Sequence, residues 1–330
     1  MSDTATGAAA VATKHAPKDA PTPQETSNKP TLIIDKISLT IDITNPDHQK
    51  YVLGSLMDMS KPADHPFHQC GWASAVNGGY KAALRVHFPH PTPFGVNAPW
   101  TKRYALVQAG PKNAKGGHVR LEWNPAGLTA AQSHHLFKQL EVFLSIEATH
   151  LLHGKVTRLD IAVDIPGMRP GDYIWERPKS PLRRPVYKKG ALETLYLGST
   201  FKGQITIYDK AVQQGNAGAK LTRIEARMRP NHQVYELHAL KNPFASLKAY
   251  ALMKAALILS VPHRQALHRA ARAEGLDSAF ADFPVAVRGT YLSAVKASGA
   301  AFWKPVAYWV TWPGALKKAF PIMLESSVKK

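Results

Sequence analysis

The chain has 330 residues, with 42 Lys and Arg against 23 Asp and Glu, which gives a formal net charge of +19 at pH 7. This length is enough to bury a sizeable core, and this charge favours a polyanionic partner, most simply nucleic acid. The single cysteine, Cys70, excludes a disulfide framework and a cysteine-built zinc site. The N-terminal stretch lacks the apolar run of a signal peptide, so we expect a cytoplasmic protein.

Composition divides the chain into three predicted regions. Residues 1–30 are rich in Ala, Thr, Pro and Ser without periodicity, which is typical of a disordered tail. Residues 31–230 carry alternating apolar and polar positions, which predict a domain built on β-strands. Residues 231–330 are Ala-rich with helical periodicity, which predicts a helical C-terminal region. Its predicted helical segments are 243–260, 262–274 and 284–298.

The predicted elements of the middle region follow in chain order. Strands are expected at 32–41, 78–90, 102–109, 118–123 and 157–165, and a helix at 129–150 with Thr129 as its N-cap. A Pro/Arg/Lys-rich loop is expected over about 166–190, and a hairpin joins strands 194–198 and 204–209. The fold class is therefore α+β, with a central antiparallel sheet, flanking helices and a helical C-terminal region.

Three of these strands concentrate charged and phenolic side chains on one face. Successive strand residues point to opposite sides, so apolar positions face a core while the polar ones share the other side. The polar sets are Arg158, Asp160 and Asp164; Gln204, Thr206, Tyr208 and Lys210; and Arg223, Glu225 and Arg227. An earlier strand adds His118, Arg120 and Glu122. The sequence thus predicts a polar platform on one side of the sheet.

Four segments in this order resemble a known family. They are Thr157-Arg158-Leu159-Asp160 with Asp164, Thr194 to Ser199, Ile207-Tyr208-Asp209-Lys210, and Thr222-Arg223-Ile224-Glu225. The segment Leu121 to Pro125 looks like a further element. Together they resemble the replication initiation factor (Rep_trans-type) family, the rolling-circle replication initiators of filamentous phages and plasmids, along with related relaxases of conjugative elements. The order and spacing agree from about residue 32 to 230.

The resemblance implies a rolling-circle initiator fold of the nuclease type and site-specific nicking and joining of single-stranded DNA. Tyr208, in the matching motif, inherits the role of nucleophile that forms a 5′-phosphotyrosine and frees a 3′-OH. The expected partners are origin DNA, single-stranded or supercoiled, together with host helicase and polymerase, in the cytoplasm of a bacterial host cell.

This chemistry makes physical demands on the neighbours of Tyr208. A phenol has an ordinary pKa near 10, so a nearby cation such as Lys210, expected on the same strand face, would assist it. A divalent ion, Mg²⁺ or Mn²⁺, would polarise the phosphate and prefers carboxylate oxygens. The expected metal ligands are Asp160, Asp164, Glu225 and Glu122. The expected DNA contacts are Arg158, Arg223, Arg227, Arg183 and Arg184.

Alternatives remain open at this level. The His-hydrophobic-His triplet of many rolling-circle nickases is absent from the sequence, which weakens the metal assignment relative to the nucleophile. Tyr196 and Tyr187 are the other candidate nucleophiles, and His118 is a candidate site member. A conjugative relaxase and a catalytically silent origin- or ssDNA-binding protein are the rival functions. Trp303, Trp309 and Trp312 are most simply packing residues, with base stacking as the other interpretation.

Overall fold

The structure is a computed structural model. It describes residues 29–61, 71–75, 78–89, 100–113, 117–178, 180, 182–200, 203–251 and 261–321. Most of the predicted tail, 1–30, lies outside the described residues. So do Cys70 and the part of the predicted helix 243–260 that follows residue 251.

Strands and helices alternate irregularly along the chain. The strands are β1 (Thr31–Asp42), β2 (Trp72–Ser74), β3 (Tyr80–Pro89), β4 (Trp100–Pro111), β5 (His118–Trp123), β6 (Lys155–Pro166), β7 (Tyr173–Glu176), β8 (Arg183–Lys188), β9 (Ala191–Leu197), β10 (Gln204–Asp209), β11 (Leu221–Met228), β12 (His232–Gln233) and β13 (Lys248–Ala251). The helices are α1 (Pro46–Met59), α2 (Ala130–Leu144), α3 (Ala148–His153), α4 (Lys210–Gln213), α5 (Val261–Glu274), α6 (Leu276–Ala279), α7 (Val285–Ala297), α8 (Pro305–Trp309) and α9 (Trp312–Ala319).

One large antiparallel sheet organises the molecule. Its strand order is β2-β3-β4-β5-β1-β6-β11-β10-β9-β8, and β12 also pairs with β6. Among the described residues, the other sheet is the pair β13-β7. The predicted α+β class with a central antiparallel sheet is confirmed, and so is the β9–β10 hairpin.

The apolar alternation of the sequence becomes one continuous buried face. Val163, Ile224, Ile207 and Leu195 lie opposite one another on four consecutive strands, and each is fully buried. The helices α1 and α2 pack against β3, and α9 packs against β1. The aromatic ring of Trp123 on β5 contacts Phe137 of α2 and Phe320 after α9, so the helices cover this apolar side. The opposite side of the sheet is left to the polar residues.

Two predicted segments differ from the structure. Residues 166–190 are not a loop, because they contain β7 and β8. In the described part of the predicted helix 243–260, residues 243–246 form turns and Lys248–Ala251 form β13, which pairs with β7. Thr129 does cap α2 as predicted, and α5 and α7 match two of the predicted helical segments. Helix α2 ends before residue 150 because Ser145 adopts a left-handed conformation.

The C-terminal tryptophans belong to packing. Trp303 and Trp312 are buried in the same hydrophobic core as the large sheet. Their indole N–H groups donate to the carbonyl oxygens of Leu247 at 2.7 Å and Leu237 at 2.9 Å. The packing interpretation of these two residues is therefore confirmed. No helix in the described part of the chain is long and apolar enough to span a membrane.

The hairpin turn after β9 depends on a glycine. Gly198 has φ +85, and an added Cβ would lie 2.9 Å from the carbonyl oxygen of Gly203. Arg177 donates to that same carbonyl at 2.8 Å. A side chain at position 198 is excluded both by the backbone conformation and by this close approach.

Candidate functional site

Tyr208 lies near the end of β10, at the centre of one cross-strand row. Arg223 of β11 is directly opposite it on one side, and Thr194 of β9 on the other. The row continues to Asp164 of β6, which is opposite Arg223. The strand ends one residue later, where the Asp209 carboxylate accepts from the backbone N–H of Val212 at 3.0 Å and caps α4. The alternation that the sequence predicted therefore brings these polar groups to one face.

The hydroxyl of Tyr208 is buried beside a carboxylate. The residue is 9% exposed, and its hydroxyl donates to Oε2 of Glu225 over 3.4 Å. Burial raises the pKa of Tyr208, and the nearby charge of Arg223 offsets only part of that rise, while Glu225 and Asp35 add to it. The phenol is therefore fully protonated at neutral pH, and any reaction at its oxygen requires a proton acceptor.

Glu225 has the properties of such an acceptor. Burial raises the pKa of its carboxyl group, and the negative charges of Asp160 and Asp35 raise it further. A carboxylate whose pKa is raised binds a proton more strongly than a surface glutamate does. Its other oxygen lies 3.5 Å from Nη2 of Arg227, which is half-exposed. Glu225 thus lies in contact with the phenol it would deprotonate.

Arg223 is held by two carboxylates at once. Its Nε and Nη2 donate to the two oxygens of Asp164 at 2.6 and 2.7 Å, and its Nη1 donates to Asp35 at 2.6 Å. Burial alone would lower the pKa of Arg223, but the hydrogen bonds and charge of Asp164 outweigh it and the net shift is upward. The guanidinium is therefore permanently charged and fixed in orientation beside Tyr208.

Asp35 is a site residue that the sequence analysis did not single out. The β1–β6 register shifts between Ile34 and Lys36, so Asp35 occupies a β-bulge and reaches the polar face together with Lys36. The only sequence signal was the pair of adjacent polar residues inside an otherwise alternating strand. That break in alternation marks a bulge, but it does not reveal that the partner is Arg223.

Lys210 lies at the first position of α4 rather than on the strand, so the prediction that it shares the strand face was wrong. The side chain still returns to the site, with Nζ 5.8 Å from the centre of the Tyr208 ring. Nζ donates to the amide oxygen of Gln213 at 2.7 Å. Burial and the positive charge of Arg223 lower the pKa of Lys210.

Asp160 occupies a second row of the polar face, between Lys36 and Arg227. Its side chain is 2% exposed and accepts from Arg158, with Nε at 3.1 Å and Nη2 at 2.5 Å. Nε of Arg227 lies 3.4 Å away. The hydrogen bond to Asp160 raises the pKa of Arg158. Arg158 and Arg227 both remain partly exposed.

Glu122 lies on β5, two strands from β6, and forms ion pairs with Lys36 and Arg120. Lys36 Nζ is 2.7 Å from one carboxylate oxygen, and the Ser38 hydroxyl donates to the other at 2.7 Å. Burial raises the pKa of Glu122, but these hydrogen bonds outweigh it and the net shift is downward. His118 lies at the start of the same strand, with its Nε2 3.4 Å from the hydroxyl of Tyr80. Neither residue reaches Tyr208 or Glu225 through these contacts.

The four predicted metal ligands do not form a metal-binding cluster. Within the described residues, no group of three or more His, Cys, Asp and Glu side chains could hold a metal ion. Asp160 and Asp164 face arginines, Glu122 faces Lys36 and Arg120, and Glu225 faces Tyr208 and Arg227. Mg²⁺ and Mn²⁺ require several oxygen ligands that converge, so these side chains as arranged do not fit the expected ion.

Arg183 and Arg184, adjacent residues of β8, lie on opposite faces of the sheet. The side chain of Arg183 is 3% exposed and donates to the carbonyl oxygens of Trp175 at 2.6 Å and Ala271 at 3.1 Å. The prediction that it contacts DNA does not fit this position, because its guanidinium is enclosed between β7 and α5. Arg184 is exposed on the opposite face, with Cζ 4.5 Å from the centre of the Tyr196 ring.

The two other candidate tyrosines lie nearby but make different contacts. Tyr196 is opposite Thr206, so it shares the polar face of Tyr208 on the neighbouring strand. Tyr187 lies on the edge strand β8 and is 41% exposed. Among the hydrogen bonds of the described residues, Tyr208 is the one of these three tyrosines whose hydroxyl donates to a carboxylate.

Comparison with known proteins adds little to this geometry. No family model matches the chain, and no curated protein matches it. Among solved structures, it is similar to a rolling circle replication initiator protein from Geobacillus stearothermophilus, at 17% identity over 61% of this chain and 74% of that chain, with a TM-score of 0.30. A similarity at that TM-score does not establish a shared fold or function.

Proposed function

We propose that this protein nicks and rejoins single-stranded DNA at a replication origin and so initiates rolling-circle replication of a phage or plasmid. One observation carries the proposal. The hydroxyl of Tyr208 donates to Glu225, a carboxylate whose pKa is raised, while the cations Lys210 and Arg223 lie beside the phenol. This arrangement supplies a nucleophile, a proton acceptor and positive charge within one cross-strand neighbourhood.

The reaction follows from these groups. The Tyr208 proton passes to the Glu225 carboxylate as the phenolic oxygen attacks the phosphorus of the scissile phosphodiester. A bond forms between the tyrosine oxygen and phosphorus, and the bond from phosphorus to the 3′-oxygen breaks. The departing oxygen takes a proton from solvent and becomes a 3′-OH, while Glu225 holds the proton of the phenol until solvent takes it up. The products are a 5′-phosphotyrosyl protein and a free 3′ end, and the reverse steps rejoin the strand.

Positive charge near the phosphate stabilises the transition state of this step. Lys210 is suited to the role, because its bonded partner Gln213 is uncharged and leaves the ammonium charge for the DNA. Arg223 is neutralised in large part by Asp164 and Asp35, so it orients the site more than it attracts phosphate. Arg158 and Arg227, both partly exposed, extend the cationic surface away from Tyr208.

The resemblance seen in the sequence supports the same function. Its four motif segments fall on strands that are consecutive in the sheet, in the order β6-β11-β10-β9. The net charge of +19 favours a polyanionic substrate independently of any motif. The free 3′-OH is the end that a polymerase extends, and the duplex ahead of it must be unwound by a helicase, so host helicase and polymerase are the proposed partners.

A denaturing-gel assay tests the proposal. The full chain is incubated with supercoiled and single-stranded DNA carrying the cognate origin, with Mg²⁺ or Mn²⁺ supplied, and is then denatured. We expect a nicked product with the protein attached to its 5′ end, and no such product from Tyr208→Phe. Tyr187→Phe, on the exposed edge strand, is the matched control and retains cleavage.

The other outcomes are also informative. Cleavage that survives Tyr208→Phe transfers the nucleophile role to Tyr196 or Tyr187. Binding of a verified origin without cleavage by the wild-type chain contradicts nicking and favours a silent origin- or ssDNA-binding protein. Cleavage confined to a transfer origin, with no effect on a replication origin, favours the conjugative relaxase.

A further inference from the structure

A second aromatic side chain lies beside the candidate nucleophile. Tyr196 of β9 is directly opposite Thr206 of β10, and Tyr208 is two residues further along β10 on the same face. Tyr196 and Tyr208 are therefore diagonal neighbours, at a backbone separation of roughly 7 to 8 Å. This separation is of the size of one nucleotide, and the two residues occupy adjoining positions on the polar side of the sheet.

The Tyr196 ring carries an arginine on one side. Arg184 of the edge strand β8 is opposite Tyr196, with its Cζ 4.5 Å from the ring centre. Arg184 is exposed and Tyr196 is partly exposed. A guanidinium held against an aromatic ring is a planar, cationic surface, which matches a nucleobase through stacking and the adjacent phosphate through charge.

We propose that Tyr196 and Arg184 form a stacking platform for an unpaired base next to the scissile phosphate. The proposal rests on the proposed function for the position of the phosphate at Tyr208. Aromatic stacking accepts single-stranded DNA, whose bases are available, and excludes a paired duplex, whose bases are already stacked on each other. The platform therefore gives the site its preference for single strands, and Tyr196 has a binding role rather than a nucleophilic one.

A purely structural role of the pair makes a different prediction. As a cross-strand pair at the sheet edge, Arg184 and Tyr196 would contribute to folding and leave DNA affinity unchanged. The structure offers a comparison pair of the same type. Arg85 Cζ lies 5.0 Å from the centre of the Tyr104 ring, on strands β3 and β4 at the other end of the sheet. Five strand spacings, roughly 24 Å, separate β4 from β10, so that pair lies outside the immediate surroundings of the phosphate at Tyr208.

Fluorescence anisotropy with a short labelled single-stranded oligonucleotide measures the platform directly. The Tyr208→Phe background keeps the DNA intact. In that background, Tyr196→Ala is expected to weaken binding about 5- to 150-fold, the range that corresponds to one lost stacked base. Tyr196→Phe retains the ring and is expected to bind like the parent. Tyr104→Ala is the matched control and is also expected to bind like the parent.

An abasic scan locates the base. A single abasic site is moved along the oligonucleotide, and we expect one position at which the abasic DNA binds weakly to the parent and Tyr196→Ala causes no further loss. Equal affinity of Tyr196→Ala and the parent, with melting temperatures that show both are folded, would overturn the platform. So would loss of cleavage in Tyr196→Phe on the wild-type background with binding intact, because the hydroxyl would then take part in the chemistry.

The scan also separates this inference from the proposed function. A Tyr196-dependent base position in a chain that never forms a covalent product supports the platform and contradicts nicking. If the wild-type chain forms a covalent product but Tyr196→Ala leaves the DNA affinity unchanged, nicking is supported and the platform is contradicted.

Discussion

Arg223 lies directly opposite Asp164 in the register of β11 and β6, and two of its nitrogens donate to the two carboxylate oxygens at 2.6 and 2.7 Å. The third donor, Nη1, is taken by Asp35 across the sheet. A guanidinium bound in this way has one orientation, and that orientation places its charge beside the phenol of Tyr208. The position of the candidate nucleophile is thus tied to two acids that lie on other strands.

Asp35→Asn tests whether this bulge residue positions the site. The negative charge of Asp35 raises the pKa of Glu225. Its removal should move the acidic limb of the nicking pH–rate profile to lower pH and slow nicking by about tenfold, as a loss near 1.4 kcal/mol would. Asp35 is partly exposed, so the stability cost should stay near 1 kcal/mol. Asp42→Asn, at the exposed end of the same strand, is the control. An unchanged profile would make Asp35 a structural residue only.

Glu225→Gln should separate activity from stability. Loss of the proton acceptor is expected to slow nicking by about 10² to 10⁴-fold. The folded-state pKa of Glu225 is raised, so its contribution to stability is present below its ordinary pKa and is lost as pH rises through the folded-state value. At neutral pH the neutral Gln should therefore raise the melting temperature. Glu193→Gln, in a surface pair on β9, should change neither property, and lower stability of Glu225→Gln at pH 7 would contradict this account.

We expect the ionisation of Lys210 to set the alkaline limb of the nicking pH–rate profile. Burial lowers its pKa, so its charge should be lost, and nicking with it, at a pH below the ordinary lysine value. Lys210→Arg keeps the charge at higher pH and should remove this limb or move it upward, at some cost in rate because the guanidinium has a different shape. Rates measured from pH 7 to 10.5 on a preformed DNA complex test this. A limb that Lys210→Arg leaves in place would belong to another group.

Arg183 and Arg184 are adjacent in sequence and should respond oppositely to alanine. Arg183→Ala removes the donor for two backbone carbonyls in a buried position and should destabilise the fold by about 2 to 4 kcal/mol. Arg184→Ala lies on the surface and should change stability by about 0.5 kcal/mol or less. Thermal denaturation of both variants, together with DNA binding, measures the difference. If Arg184→Ala destabilised the fold as much as Arg183→Ala, the Arg184 side chain would be a structural residue rather than a surface residue that contacts DNA.

The arrangement of acids predicts weak metal binding in the absence of DNA. Each carboxylate among the predicted ligands already contacts a cation or Tyr208, so an incoming ion must break those contacts. Titration of Mn²⁺ into the DNA-free protein, followed by the electron paramagnetic resonance signal of the free ion, should show that most of the ion stays free when it is equimolar with the protein. Stoichiometric uptake that Asp160→Asn abolishes would show that the acids rearrange into the expected site.

The sequence by itself predicted the antiparallel sheet, its two faces and most of the candidate residues that share the polar face. Alternation with period two is a local property, so it places Arg158, Asp160 and Asp164 on one face without any knowledge of their partners. Alternation likewise places Tyr208 of β10 and Glu225 of β11 on the polar sides of their strands, and these two strands pair in the sheet.

The tertiary structure decided what those residues do to one another. Asp35 joined the site through a bulge, since one extra residue changes the face of every later position on the strand. Lys210 moved onto a helix because Asp209 caps it, and Arg183 became buried because α5 covers β8 on that side. The four carboxylates predicted to bind a metal ion each form an ion pair with an arginine instead. Pairing between strands distant in sequence sets these contacts, and no local pattern encodes which acid meets which base.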